Sequence, residues 1–144
     1  MATVEAQKKF EQFLVERMPV LVEFARALSF PEPHRILNEP HLFSHGISDW
    51  LSQQAVGPDD RVWLVTRLGY FVGEYLNMRY SGAWFVNESP NSRYFGRYVV
   101  GQFYKIANQS ALADPFEVAM VAVEPNAPSL EELLAEVCRA LEVA

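Results

Sequence analysis

The chain has 144 residues, half of them apolar and 13% aromatic, and carries a net charge of −6. That is the size of one domain with enough apolar material for its own core, which excludes disorder and a fold that needs a metal to build its interior. No apolar run approaches the ~20 residues that cross a bilayer, residues 1–10 lack a secretory pattern, and Cys138, the only cysteine, excludes an intrachain disulfide; the expectation is a cytoplasmic protein without membrane contact.

Residues 3–28 predict a helix, because Phe10, Leu14, Met18, Leu21, Ala25 and Leu28 recur at spacings of three and four. Pro19 lacks an N–H and crowds the carbonyl of Val15, which predicts a kink or two abutting helices. Residues 29–47 read as loop around Pro31, Pro33 and Pro40, with all three histidines in it, and a short helix follows over about residues 48–54. Gly57–Pro58 closes that unit and opens the second main helix, where Asp59 and Asp60 suit the positive end of the dipole. Leu64, Val65, Leu68, Phe71, Val72, Tyr75 and Leu76 make a wide stripe, and Trp63, Tyr70 and Gly73 leave the other side far from polar. Such a helix belongs in the middle of a domain. Gly69 and Gly73 share one of its faces, and each costs about 1 kcal/mol relative to alanine, so another element is expected to pack against that bare backbone.

The helix is expected to end before Ser81–Gly82. Ala83–Glu88 then reads as a strand, Ser89–Pro90–Asn91–Ser92 as a turn, and Arg93–Lys105 as one long strand or two shorter ones, with Gly96 and Gly101 as bulge candidates. Asp114–Pro115–Phe116–Glu117 has the pattern of a helix start, with Glu117 reaching back to the cap; the valine-rich run Val118 to Val123 fits a strand equally, and the start signal favours helix. Ser129 to Glu132 is a capping box, followed by the stripe Leu130, Leu133, Leu134, Val137 and Leu141. Strands grouped together with helices at both ends predict a single α+β domain over residues 1–144. Its long N-terminal helix and central helix pack on a small antiparallel β-hairpin or three-stranded meander, and two helices end the chain.

Charge is distributed unevenly. Residues 1–60 hold five Lys/Arg and nine Asp/Glu, residues 61–105 six and two, and residues 106–144 one and seven. Either the arginines of the middle pair with acids of the ends, or they form a patch for an acidic partner.

Few residues carry chemistry. His41 and His45 are four apart and His34 lies seven before, but Pro40 and Gly46 flank the pair, no glutamate completes a zincin pattern, and ordinary loop histidines are expected. Cys138 reads as packing in the last helix. Nucleophile elbows and phosphate-binding glycine loops are missing, so no cofactor and no metal is expected. Glu74 is the one carboxylate with a rationale: it sits mid-helix beside Gly73, on the side of Tyr70 and Arg67. It is either a structural pair, with the Trp84 N–H, a tyrosine or an arginine, or the centre of a ligand cleft shared with Arg67 and Tyr70. Twelve of the nineteen aromatic residues lie between Trp63 and Tyr104, with Arg67, Arg79, Arg93 and Arg97 among them. Tyr, Trp and Arg dominate the energetic centres of protein interfaces. Three lysines and a pI near 5.0 argue against nucleic acid.

The stretch Leu68–Gly–Tyr–Phe–Val–Gly–Glu–Tyr75, followed by Gly82–Ala–Trp84, and later Asp114–Pro–Phe116 and Ser129–Leu130, resembles a helix-then-strand pattern of uncharacterised small bacterial α+β proteins. These include domains of unknown function, and some similar proteins are thought to be immunity proteins against toxins. The resemblance covers roughly residues 60–134 and implies a fold; it carries over no catalytic residue. The expectation is therefore a non-catalytic bacterial protein-binding module, adaptor or immunity-like, whose partner is another protein or a second copy of itself. Its surface is the hairpin, with Arg93, Tyr94, Arg97 and Tyr98 in contact and Trp84 as anchor. The alternative is a small-ligand protein or enzyme with a cleft at Glu74.

Overall fold

The computed structural model describes residues 3–144. Helix α1 runs over Val4–Ala27, capped by Thr3, whose side chain accepts a hydrogen bond from the Ala6 N–H. One helix passes through Pro19 without a break into two. Its core face shares Phe10, Leu21 and Ala25 with the predicted stripe, with Leu14 and Leu28 partly buried beside them. Phe10, Phe13, Leu21, Phe24 and Ala25 are buried, while Met18 is 40% exposed. The face is wider than predicted because Phe13 and Phe24, one position before Leu14 and Ala25, also turn inward with their large apolar areas.

Two short 3₁₀ turns, Pro33–Leu37 and Pro40–Leu42, occupy the stretch expected to be loop, and α2 spans Ser44–Ser52, starting earlier than predicted. Pro33 and Pro40 each open one of these turns, where a fixed φ and a missing N–H cost nothing. Helix α3, Pro58–Tyr80, follows its signals from start to end and buries ten side chains or glycines, Leu64 to Tyr80. Ser81, in the left-handed region at φ 55, ends it.

The sheet is an antiparallel meander of three strands in the order β1-β2-β3, over Ala83–Val86, Tyr98–Gly101 and Leu112–Ala113. Trp84 pairs with Val100 and Val86 with Tyr98; Gly101 pairs with Leu112. The β-rich run expected over residues 93–105 is thus shortened at both ends. Residues 88–96 form a turn, and Gln102, at φ 53, leads the chain out of β2. Helix α4 covers Pro115–Ala122, so the start signal at Asp114 prevails over the valine run. Helix α5 covers Leu130–Val143, with Ser129 capping through the Glu132 N–H. Leu130, Leu133, Leu134, Cys138 and Leu141 face the core, where Cys138 is ordinary packing.

The centre of the molecule is α3, against which α1, β1, β2 and α4 all pack. The two glycines of α3 are seats for aromatic rings. A Cβ on Gly69 would lie 2.2 Å from the Phe116 ring of α4, and one on Gly73 would lie 2.0 Å from the Trp84 ring of β1. The close approach expected there is made by these two side chains. No helix among the described residues is long and apolar enough to cross a membrane.

Candidate functional site

Glu74 is the first residue the structure decides. Its carboxylate is buried, and Oε2 accepts from Arg17 Nε at 3.1 Å and from the Trp84 indole N–H at 2.9 Å. Arg17 occupies a core-facing position of α1, between Phe13 and Leu21, and also donates to the Leu14 carbonyl. A buried carboxylate holding a charged partner and a ring N–H is a structural clamp joining α1, α3 and β1. This corrects the cleft reading. Tyr70 is buried against Phe13 and Phe116, and Arg67 lies 4.4 Å from the ring centroid of Trp63 while donating to the Trp63 carbonyl at 3.1 Å. Glu74, Arg67 and Tyr70, although all on α3, are therefore each engaged with different partners. Trp84 is corrected too: it is 7% exposed, packed on Gly73 and Phe13, and cannot anchor a partner.

The hairpin is where the predicted contact residues come together. Asn87, buried, pins the turn. Its amide donates to Ser92 Oγ at 3.0 Å, its side-chain oxygen accepts from the Ser89 N–H at 3.2 Å, and its backbone bonds to both Arg97 and Gly96. Gly96, at φ 78, supplies the left-handed residue that returns the chain to β2. The guanidinium carbons of Arg93 and Arg97 lie 4.4 and 5.6 Å from the Tyr94 ring centroid, a cation–π arrangement. Tyr98 is half-buried, its ring against Phe10 and Phe13, so it supports the surface more than it projects from it.

Both arginines are held from α4. Arg93 donates to Glu117 Oε1 at 2.8 Å, and Arg97 to Asp114 Oδ2 at 3.0 Å and Glu117 Oε2 at 3.3 Å. Asp114 does two jobs. Oδ1 caps α4 through the Phe116 and Glu117 N–H groups while Oδ2 takes Arg97. Arg61 with Glu124 and Arg79 with Glu142 repeat the pattern elsewhere. Arginines of the middle segment thus pair with acids of the last third, the internal one of the two charge readings.

Between the turn and α4 lies a shallow, open depression of about 330 Å³, lined by Gly96, Arg97, Tyr98, Asp114, Phe116 and Met120. Its floor is apolar, and Phe116 sits directly on the core through Gly69, Tyr70 and Trp84. Phe95, 58% exposed, precedes Gly96 on the turn. Asp114, Phe116, Glu117, Met120 and Phe95 were not legible as site residues. Asp114 and Glu117 read as capping groups alone, and Phe95 as one of many strand aromatics. The available signal was the match of two acids three apart to two arginines four apart.

No protein family, curated protein or solved structure matches the chain.

Two further concavities among the described residues are not lined by Glu74. One of about 650 Å³ lies between residues 48–57 and 122–130; the other, of about 380 Å³, lies between Tyr75 and Arg79 of α3 and Cys138, Arg139 and Glu142 of α5. No group of three or more His, Cys, Asp or Glu side chains among the described residues is arranged to hold a metal ion; His45 Nδ1 lies 2.9 Å from Glu131 Oε1. Below the second groove, Tyr80 donates its hydroxyl to Glu142 and accepts from Arg79 Nε at 3.1 Å. Burial, then hydrogen bonds with Cys138 and Glu142, raise the Tyr80 phenol above the ordinary tyrosine value, and burial followed by the charge of Glu16 raises Tyr70. The folded state therefore keeps phenol protons that the unfolded chain loses above about pH 10. Stability is intact below that pH and falls as pH rises beyond it. Thermal melts should show the midpoint dropping progressively as pH rises above about 10, with a smaller drop in Tyr80→Phe and Tyr70→Phe.

Proposed function

We propose that this chain is a non-catalytic protein-binding module whose contact face is the 93–98 turn together with α4. The carrying observation is the Arg93–Tyr94–Arg97 stack, fastened by Glu117 and Asp114 beside a shallow apolar depression, with Phe95 exposed on the same turn. Rigid aromatic area and arginines already held in position lose little freedom on binding, the condition under which a small face gives useful affinity. The commitment of Glu74 to Arg17 and Trp84 supports a non-catalytic role, since it removes the one carboxylate with a catalytic rationale. Adaptor or immunity-like work in a bacterial cell is the role that the resemblance of Leu68–Tyr75 and Gly82–Trp84 implies.

Affinity capture from lysate of the source cell tests this. The tagged chain is run beside Arg93→Glu/Met120→Glu and beside Val15→Glu, which alters an exposed position on α1. The expected result is a polypeptide captured by the unaltered chain and by Val15→Glu, and lost with the face variant while its melting temperature stays within a few degrees. The altered Arg93–Glu117 pair is exposed and worth no more than about 1 kcal/mol, so a folded variant is expected. Equal capture by all three sinks the reading.

A further inference from the structure

We propose that the groove between residues 48–57 and 122–130 binds an uncharged, peptide-like small molecule: a neutral amide with an aliphatic side chain. The groove measures about 650 Å³, within the range of about 300–1,000 Å³ that small-molecule sites occupy. Its wall is made by the core itself, since Leu51, Val123 and Leu130 all line it and all are buried. One polar group in that wall is left incomplete. Ser48, 5% exposed, accepts from the Glu131 N–H through Oγ at 3.3 Å, but its own O–H proton meets no acceptor among the described residues. A buried donor without an acceptor costs free energy, and a carbonyl in the groove removes that cost. Ser52, which also lines the groove, is satisfied within the chain by donating to the Asp49 carbonyl at 2.6 Å. Two exposed amides complete the lining. Gln54 commits Nε2 to the Trp50 carbonyl at 3.1 Å and keeps Oε1 as an acceptor, and the Asn126 amide has no partner among the described residues. An acceptor for Ser48, a donor for Gln54 and an apolar group for the wall together describe the ligand.

Charge narrows the class further. No lysine, arginine or histidine lines the groove, and its one acid, Glu124, is held by Arg61 at 2.5 Å. Gly57 and Ser129, the caps of α3 and α5, both line it. Helix starts ordinarily draw anions, but Asp59 and Asp60 occupy the first turn of α3, and Glu131 and Glu132 that of α5. A carboxylate or phosphate is therefore repelled, and a cation finds the only lining acid already taken. The groove shares no lining residue with the depression at the 93–98 turn, so a ligand here neither needs a protein contact at that turn nor replaces it.

Titration of the full chain with N-acetyl-leucinamide, followed by two-dimensional amide NMR, tests the proposal. N-acetyl-leucine and leucinamide serve as the negatively and positively charged counterparts. The expected result is saturable shifts confined to residues 48–57 and 122–131, with a dissociation constant on the order of millimolar, as suits a probe of about a dozen heavy atoms. Both charged forms should bind at least about fivefold more weakly. Gly57→Leu should abolish saturable binding. Its backbone, at φ −82, accepts any side chain, and nothing lies within 4 Å of where a Cβ would stand, so the new group extends into open space and the fold is kept. Ser48→Ala should weaken the probe at least about threefold while the same residues shift. Absence of saturable shifts up to about 20 mM probe, shifts centred on another part of the chain, an unaltered affinity in folded Gly57→Leu or in Ser48→Ala, or tighter binding of either charged form would each overturn it.

Discussion

Glu74→Ala should destabilise the chain by about 3 kcal/mol, read as a shift of the urea midpoint at unchanged slope. Two groups lose their acceptor at once. Arg17 keeps only the Leu14 carbonyl, and the Trp84 indole N–H, buried beside Gly73, keeps none. Breaking a fully buried pair costs about 3–5 kcal/mol, and the lower end applies here because the Arg17 side chain retains 19% of its exposure. Glu74→Gln should cost less, since an amide oxygen still accepts from Trp84 while the Arg17 charge goes uncompensated. Arg17→Met/Glu74→Gln should recover most of the loss, because no buried charge remains and the methionine fills the stem's space. A cycle in which the double variant is as unstable as the sum of the singles would show that the two groups act independently. It would also reopen Glu74 to a role other than clamping.

The α3 helix and the sheet around it illustrate how far local signals reach. Pro58, Asp59 and the apolar stripe fix α3 to the residue, since start chemistry, periodicity and burial agree. Ser129 and Asp114 do the same for α5 and α4. The full width of the α1 core face was not legible: Phe13 and Phe24 join Phe10, Leu21 and Ala25 of the predicted stripe inside. That width also places Arg17 in the seam, and its pairing with Glu74 depends on a contact 57 residues away. The extent of β2 was hidden for a similar reason. Aromatic and β-branched residues from 93 to 104 all favour strand, but Asn87 and Gly96 make a turn of the first part, and Gln102 turns the chain away at the end. The cluster of Arg93, Tyr94 and Arg97 was legible from composition. Their partners Asp114 and Glu117 were not, because a capping signal already accounted for both acids.

Gly73→Ala should be destabilising by about 3 kcal/mol, although alanine is the better helix former by about 1 kcal/mol at such a position. The added Cβ would meet the Trp84 ring at 2.0 Å from Cζ2 and 2.6 Å from Cη2. That ring has little room to move. Its N–H is held by Glu74, its edge is packed by Phe13 and Phe116, and its backbone pairs with Val100 in the sheet. Relief must come from moving β1 away from α3, which strains the Glu74 hydrogen bond as well, so the cost exceeds that of overpacking a pliable site. The sign of the change separates the two contributions. In a Trp84→Leu background, itself destabilised by the lost ring and hydrogen bond, the same Gly73→Ala change should turn neutral or stabilising, because the clash is gone and the helix preference remains. Equal destabilisation in both backgrounds would place the cost of the new Cβ somewhere other than the Trp84 ring. The companion substitution Gly69→Ala acts on Phe116, 2.2 Å from the new Cβ, and Phe116 lines the depression beside the turn. It should therefore cost stability and weaken any contact made at Met120. Gly73→Ala, further along the helix, should spare that contact in whatever fraction of the chain stays folded. The clamp and the contact face are thus separate parts of one packing arrangement, joined where Trp84 and Phe116 meet over two bare turns of α3.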